Sequence, residues 1–451
     1  MWRNTYHVRV DNTLAYIDQG SFLALRALGR GPLIQFTWIY EHAFDIDGLR
    51  RFHANLGHGL LGRHIERSAL PFGRDRWVAT PGPPDVDIAA RDRPRADAWT
   101  WADERLRLPI DPQYGPAWHL GVQPLVGGGA AVSLVVSHSV GDAKAIMDAI
   151  VDTVQGVRRD LGYPPPGSRT RRQALREDGK QALRDIPEMA RAVVSAARVA
   201  RAESDGLSTS VKSGGKRRSR GADDEVVVPN LTAFFDLEHW DERAKALGGS
   251  SNSLFVGLGA RLGHILGRVD DAGQVRASLP VSDREAGDTR ANALTAIAVT
   301  TDPTKVVTDL GDVRRDLKNA LTALAETPNE LLGPLALVPL TPAFLVRRLE
   351  GMVQQVGNPI GCSNLGELQP EVNRPDGNDA DLVAVRMMEP KITTKVLERM
   401  GGLLFLGCGR IRGRVFVTVG SWVVGGTNTR DALRVAFRTA LDDLGLSGAV
   451  E

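Results

Sequence analysis

The residues with the clearest chemical potential lie between positions 137 and 143, where the sequence is SHSVGDA. The segment before them, 131–137, is mostly apolar and predicts a strand buried on both faces. His138 follows this strand directly, and Asp142 comes four residues later, where a helical pattern begins. Because a strand end holds a side chain at a defined position, this segment could present His138 to a substrate.

A neutral imidazole removes protons effectively near neutral pH, which suits His138 to general base catalysis. Acyl transfer from a thioester needs such a base for the attacking hydroxyl or amine, and donors for the oxyanion that forms. Asp142 is better placed to fix the loop through a buried ion pair than to move a proton. The alternative is a structural histidine at a strand end, which would be the preferred interpretation of an isolated His-x-x-x-Asp pattern.

The elements around this segment alternate between strands and helices. In the first part we predict a strand at 33–43, an amphipathic helix that starts after Asp45, and a hairpin of strands 118–124 and 131–137. Three consecutive glycines, 127–129, form the turn of that hairpin. The order of elements predicts a layered α/β (α+β) fold.

The second half repeats this alternation without repeating the sequence. We predict strands at 231–237 and 275–280, a long apolar helix at 254–266, a hairpin within 403–424 and a closing helix at 431–444. The chain has 451 residues, which suits two domains of about 200 residues each.

We therefore predict an N-terminal lobe at 1–160, a basic helical crossover linker at 161–226 that is partly mobile, and a C-terminal lobe at 227–451. Between residues 157 and 220 there are sixteen basic and seven acidic residues, an excess of nine positive charges. An apolar stripe marks a helix in this region, formed by Leu175, Leu183, Ile186, Met189, Val193, Ala197 and Ala200. The favoured interpretation is that the stripe packs on the protein. The alternative is contact of 170–220 with an anionic membrane or an acidic partner.

Composition limits the other function classes. A net charge of +2 gives the whole chain no strong attraction to nucleic acid, and we expect none as a partner. Two cysteines, Cys362 and Cys408, do not form a disulfide framework, and with no apolar signal core at the start they predict a cytoplasmic protein. No Cys/His spacing typical of zinc occurs, so we expect no metal and no cofactor. For Cys362 a buried structural thiol is a better interpretation than a nucleophile.

The segment around His138 resembles the HHxxxDG motif of the acyl-CoA-dependent acyltransferase superfamily. That superfamily includes condensation domains of peptide synthetases and chloramphenicol acetyltransferase. The resemblance is strongest to bacterial wax ester synthase/diacylglycerol acyltransferases and polyketide-associated acyltransferases. Further segments resemble those relatives in the same order along the chain: 17–22, 116–120, 251–254, 279–284 with Asn292, and 363–366.

The resemblance implies two chloramphenicol-acetyltransferase-like lobes that form a pseudo-dimer around a central tunnel. It implies that His138 is the general base, that Asp142 is a structural acid and that Arg284 is the ion-pair partner of Asp142. The residues that it assigns to the substrate site are Ser137, Gly141, Arg284, Asn292, Ser363 and Asn364. For Asn292 and Asn364, hydrogen bonds within loops are the alternative.

The motif departs from the family pattern at two positions. Ser137 replaces the first histidine and Ala143 replaces the final glycine. An alanine would narrow the loop if this residue had a positive φ. These departures keep open a specialised or inactive member of the superfamily.

Three functions follow as hypotheses. The first is transfer of an acyl group from an acyl-CoA or a carrier-protein thioester, the co-substrate, to a hydroxyl or less favourably an amine of a small molecule or lipid, without a covalent acyl-enzyme. The second is a free-standing condensation enzyme that acts on substrates bound to an acyl carrier protein. The third is a non-catalytic binding protein with the same fold.

Overall fold

The structure is a computed structural model that describes residues 11–80, 82, 85–210, 223–326, 330–353 and 359–451. Its strands are β1 (Leu33–Tyr40), β2 (Arg63–Glu66), β3 (Arg76–Ala79), β4 (Asp87–Ile88), β5 (Trp118–Pro124), β6 (Ala130–Ser137), β7 (Asn230–Asp236), β8 (Val275–Ser282), β9 (Leu294–Thr301), β10 (Ile360–Glu367), β11 (Leu382–Met388), β12 (Leu403–Ile411), β13 (Arg414–Trp422) and β14 (Ala449–Val450).

Its helices are α1 (Tyr16–Leu28), α2 (Ile46–Leu56), α3 (Ala98–Arg105), α4 (Ala143–Val154), α5 (Arg171–Ser210), α6 (Leu237–Ala246), α7 (Ser251–Ile265), α8 (Gly311–Glu326), α9 (Ala343–Val353), α10 (Thr394–Arg399) and α11 (Arg430–Asp443). A longer 3-10 helix spans Glu330–Leu340. The strand–helix alternation that the sequence predicts is confirmed.

The first lobe is built on a five-stranded sheet in the order β11-β1-β6-β5-β4. Every residue of β1 and β6 is buried, as expected for central strands rich in β-branched and aromatic residues. The turn between β5 and β6 uses Gly127, Gly128 and Gly129, all with positive φ. A Cβ on Gly129 would lie only 2.2 Å from the carbonyl oxygen of Tyr40, so this turn requires glycine.

The second lobe is built on a seven-stranded sheet in the order β14-β7-β13-β12-β10-β8-β9. Helix α7 packs on β8 and β10 through an almost fully apolar face, and α11 packs on α7 and β7. The two lobes have separate hydrophobic cores. Each core therefore stabilises its own sheet.

One strand from the second half of the chain belongs to the sheet of the first lobe. β11 comes from the second half of the chain, yet it pairs antiparallel with β1 of the first sheet, from Leu33↔Met388 to Ile39↔Leu382. The predicted boundaries assign this strand to the C-terminal lobe, and the structure departs from them here. β1 is apolar along its whole length and needs a hydrogen-bonding partner on each side, and β11 provides the second.

Helix α5 also differs from its predicted packing. The exposed fractions of Leu183, Ile186 and Val193 are 67%, 53% and 56%, so most of the predicted apolar stripe faces outward. The face that packs on the protein carries Asp178 and Asp185 instead. Residues 204–210, predicted as part of a mobile stretch, continue the helix. The side chains of Ala197 and Ala200 and residues 211–222 lie outside the described part.

Candidate active site

His138 lies at the carboxyl end of β6, and its backbone N–H donates to the carbonyl of Pro32. Its side chain is half-buried. Nδ1 lies 2.8 Å from Oδ1 of Asn292, which follows β8 in the second lobe. Nε2 forms no hydrogen bond with the described residues and is not one of their buried unpaired atoms. One ring nitrogen is therefore fixed by a side chain of the second lobe.

The orientation of the Asn292 amide follows from its second contact. Its Nδ2 lies 3.1 Å from Oδ1 of Asp18, an atom that also accepts from the Asn292 backbone N–H. Since an amide nitrogen donates and a carboxylate oxygen accepts, Oδ1 of Asn292 must face His138. A carbonyl oxygen accepts only, so Nδ1 of His138 carries a proton, and in the neutral imidazole the lone pair is on Nε2.

Asp18 is fully buried on α1. Burial raises its pKa, while N–H groups of Ala291 and Asn292 and the nearby Arg63 guanidinium favour the charged form. The Ala291 N–H donates to Oδ2 over 2.9 Å and the Asn292 N–H to Oδ1 over 2.7 Å. Asp18 therefore ties the loop of the second lobe to the first helix and fixes the residue that orients His138.

The Asp142 carboxylate contacts the start of α4 and the loop before β9. Its Oδ1 caps α4 by accepting from the Ala145 N–H over 2.8 Å, and its Oδ2 accepts from the Ala293 N–H over 2.8 Å. The Arg284 guanidinium forms an ion pair with the same carboxylate, with Nη2 2.9 Å from Oδ2 of Asp142. Both charged side chains are almost fully buried. Asp142 therefore joins the two lobes and holds the loop that contains His138.

A second buried cation, Arg63 of β2, supports the same loop. Its guanidinium lies over the Trp77 ring, 3.8 Å from the centroid. Nη1 donates to the Thr289 carbonyl over 2.5 Å and Nη2 to the Val140 carbonyl over 3.2 Å. Burial lowers the pKa of Arg63, and Tyr163 and Asp18 counteract this. Arg63 therefore binds the carbonyls that flank the Asp142–Arg284 pair.

The residues that the resemblance assigns to substrate divide into two groups. The Nη atoms of Arg284 and the side-chain amide of Asn292 bond to protein groups, so their observed contacts position the loop and the imidazole. Ser137 is buried, and its Oγ accepts from the Ser139 N–H over 3.3 Å. Gly141 packs closely against Ile146.

Ser363 and Asn364 lie on β10, and no hydrogen bond of the described residues joins them to His138. The Asn364 amide bonds Asn252 and the Gly366 N–H. The Asn364 side chain therefore joins β10 to the first turn of α7. Ala143 begins α4, and among the described non-glycine residues only Lys391 and Arg412 have positive φ. An alanine at position 143 therefore fits its backbone.

Sequence reasoning missed Asp18 and Arg63. The segment 17–22 was matched to the family pattern, but nothing local indicates that Asp18 contacts Asn292, which is 274 positions away. A charged residue within an otherwise apolar helix face was the available signal for Asp18, because a buried carboxylate requires partners.

Neither cysteine is suited to nucleophilic catalysis. Cys362 and Cys408 are buried, and burial raises the pKa of both thiols to about 12. A thiol is nucleophilic mainly as the thiolate, which such a pKa disfavours. Across the described residues, no group of three His, Cys, Asp or Glu side chains is placed to hold a metal ion.

A cavity of about 420 Å³ opens beside Asn292. It is bounded by the start of α1, by α5, by β9 and by the 3-10 helix Glu330–Leu340. Its walls are mainly apolar, with Leu294 and Leu335 among them, and carry the charged side chains of Glu188 and Arg191. The cavity therefore provides a space of mixed character next to the residue that orients His138.

Neither a protein-family model nor a curated protein sequence matches this chain. Solved structures match it along almost its whole length. Trichothecene 15-O-acetyltransferase from Fusarium sporotrichioides matches with a TM-score of 0.58, 10% identity and coverage of 96% of this chain and 94% of the other.

The first condensation domain of the calcium-dependent antibiotic synthetase matches with a TM-score of 0.57 at 14% identity, covering 96% of each chain. Polyketide synthase associated protein 5 from Mycobacterium tuberculosis matches with a TM-score of 0.50 at 14% identity, covering 96% of this chain and 97% of the other. The chain has the fold of a condensation domain. The predicted arrangement of two lobes is thereby confirmed, and at these identities the likeness establishes the fold alone.

Proposed function

We propose that this protein is an acyltransferase that moves an acyl group from a thioester to a hydroxyl or amine, with His138 as the general base. The observation that carries the proposal is the bond from Nδ1 of His138 to Oδ1 of Asn292, with Nε2 free of hydrogen bonds to the residues that the structure describes. A general base must be fixed in one tautomer and open on the reacting side.

In the proposed reaction, Nε2 of His138 takes the proton of the acceptor O–H or N–H as the acceptor attacks the thioester carbonyl carbon. The carbon–sulfur bond of the tetrahedral intermediate then breaks, and the thiolate takes the proton back from Nε2. Oδ1 of Asn292 accepts from Nδ1–H throughout, and Asp18 keeps the amide turned for this. These two residues act as positioning residues.

Direct transfer is favoured over a covalent acyl-enzyme. In the described residues, no thiol or hydroxyl is hydrogen-bonded to His138, as the activation of a protein nucleophile would require. The nearby Ser139 hydroxyl is paired with the Ser21 hydroxyl at 3.0 Å. The acceptor itself is therefore the proposed nucleophile.

The test is release of free thiol from a panel of acyl-CoA donors with pooled alcohol and amine acceptors. We expect acceptor-dependent release that falls about 10²–10⁴-fold in His138→Ala. The matched control is His264→Ala, which removes an exposed histidine on α7. Equal release by wild type and His138→Ala would contradict the proposal.

A second candidate function is condensation on carrier-protein substrates. It is favoured by the match to condensation domains over almost the full length of both chains. The same assay with the acyl group on a carrier protein distinguishes the two, because a condensation enzyme turns over the carrier-bound donor and not the CoA donor. No release with either donor from wild type would favour the non-catalytic hypothesis.

A further inference from the structure

Helix α5 is attached to the protein by acidic side chains. Asp185 forms a bidentate pair with Arg74, with distances of 2.8 and 3.0 Å. Asp178 accepts from the Ser68 hydroxyl and from the Ala69 N–H. Both aspartates are buried, and their spacing of seven residues places them on one face. The inner face of α5 therefore combines two buried aspartates, which pair with Arg74 and Arg169, with the small buried side chains of Ala174 and Ala192.

The outer face of α5 is apolar. Four apolar side chains that fall within about 100° of the helix circumference are more than half exposed: Leu183 at 67%, Ile186 at 53%, Val193 at 56% and Val194 at 52%. Residues within such an arc share one face of a helix. Monomeric proteins rarely expose a continuous apolar patch without a partner for it.

Positive charge borders this apolar face. Between residues 171 and 196 the basic side chains are all exposed, and they are Arg171, Arg172, Arg176, Lys180, Arg184 and Arg191. The acidic ones turn inward or are engaged: besides the two buried aspartates, Glu177 lies 3.4 Å from Arg169 and Glu188 is hydrogen-bonded to Tyr16. The surface that α5 presents therefore combines branched apolar side chains with unopposed cations.

We infer that the outer face of α5 docks on an anionic lipid surface. An apolar stripe flanked by arginine and lysine is the pattern of a helix that lies in a membrane interface, where the apolar side chains enter the acyl region and the cations bind headgroups. Charge and apolar exposure thus favour a lipid surface over a hydrated acidic protein.

The inner side of the same helix borders the candidate active site. Glu188, Arg191 and Ala192 line the cavity that also contains Asn292. A bilayer against the outer face would lie about one helix diameter, roughly 10 Å, from that cavity. If the proposed function holds, docking of this face brings the bilayer close to the cavity beside Asn292, the residue that orients His138.

The test is vesicle flotation of the full chain. We expect binding to vesicles of mixed phosphatidylcholine and phosphatidylglycerol, and little binding to phosphatidylcholine alone. The triple variant Leu183→Ser/Ile186→Ser/Val193→Ser should lower the partition coefficient at least about tenfold. The matched control, Tyr114→Ser/Val126→Ser/Val435→Ser, removes three apolar side chains elsewhere that are at least as exposed, and it should bind as wild type does.

A second variant tests whether the basic side chains of α5 contribute to vesicle binding. Arg176→Gln/Lys180→Gln/Arg184→Gln should weaken binding to anionic vesicles by roughly fivefold for each cation removed, because each basic residue near the surface contributes separately. Wild type that fails to float with anionic vesicles at low salt would overturn the inference. Equal flotation of wild type and the apolar triple variant would also overturn it.

Two measurements separate this inference from the proposed function. Circular dichroism of each variant checks that the fold is kept. Thiol release with a short, water-soluble acyl-CoA should be unchanged in the apolar triple variant, because none of the three residues lines the cavity. Loss of flotation with retained thiol release supports docking, whereas flotation of a protein with no thiol release refutes only the proposed reaction.

Discussion

Each lobe contains a hairpin that leads into a helix, and the two differ in where their polar loop residues find partners. In the first lobe β5 and β6 lead to α4, and in the second β12 and β13 lead to α11. Both helices are capped by a side chain that accepts from the N–H three residues on, Asp142 for α4 and Thr429 for α11. The local architecture is therefore the same.

The loop after β13 is closed on itself. Asn428 accepts from the Val423 N–H over 2.7 Å and donates to the Val423 carbonyl over 2.9 Å. The loop after β6 instead reaches the other lobe, through His138 to Asn292 and through Asp142 to Arg284. The two lobes therefore share a hairpin–helix unit, but among the described residues only in the first lobe do the polar side chains of its loop bond to the other lobe. That contact is what makes the first unit a candidate active site.

Removal of Asp142 should have the largest effect. Asp142→Ala leaves the buried Arg284 guanidinium without its partner, which costs about 3–5 kcal/mol in the free energy of unfolding. Urea denaturation of the full chain measures it. Thr429→Ala is the matched control, since it removes the corresponding cap of α11 without breaking a buried ion pair. Similar losses in the free energy of unfolding would contradict the conclusion that the loop after β6, unlike the loop after β13, depends on contacts with the other lobe.

Asp18→Asn should lower activity through His138. The variant removes an acceptor that holds Asn292, and we expect kcat to fall about 10–100-fold with little change in KM, as for groups that orient a reactive ligand. The pH profile of kcat should also shift, since the imidazole loses its fixed tautomer. Asp75→Asn, at a buried carboxylate with no contact to Asn292, is the control. An equal fall in that control would contradict a positioning role.

The first hairpin also contains a titratable group, His119 of β5. Burial and the nearby Arg105 lower its pKa to about 4, and Nη2 of Arg105 lies 2.7 Å from Nε2. The unfolded chain binds the proton more tightly, so stability should be full above about pH 6.5 and be lost as the pH falls toward 4.

The loss attributable to His119 should be roughly 2 kcal/mol, after allowance for its partial exposure. His119→Gln should flatten the dependence of the urea midpoint on pH across this window. An unchanged dependence would assign the acid sensitivity to another group.

The smallest effect on stability is expected from a substitution in the loop after β13. Thr429→Ala should cost about 1 kcal/mol, the usual value for a helix cap, and leave thiol release unchanged. A large loss of activity would show that the loop after β13 also serves the site, and the comparison of the two loops would then fail.

The sequence predicts the local elements well and the long-range contacts poorly. The hairpin at 118–137 and α7 follow from periodicity, glycine and serine, because these signals act over a few residues. The strand exchange of β11 has no such signal, and neither has the contact of Asp18 with Asn292.

The sequence also fails to predict that the apolar stripe of α5 is exposed. An apolar stripe predicts the buried face only when hydrophobic packing holds the helix. Here two buried aspartates hold it, and Asp185 is paired with Arg74. Periodicity therefore predicts the apolar stripe of α5. It does not predict which side of the helix packs on the protein, because that depends on ion pairs with distant residues.

The pairing of β11 with β1 also sets an order of events during synthesis. β1 is in place after forty residues, but its second neighbour ends at Met388. Until the ribosome has released that strand, β1 is an open sheet edge with apolar side chains on both faces, a surface prone to aggregation. The lobe that is made first is therefore completed late, and nascent chains that stall before residue 382 should depend on chaperones.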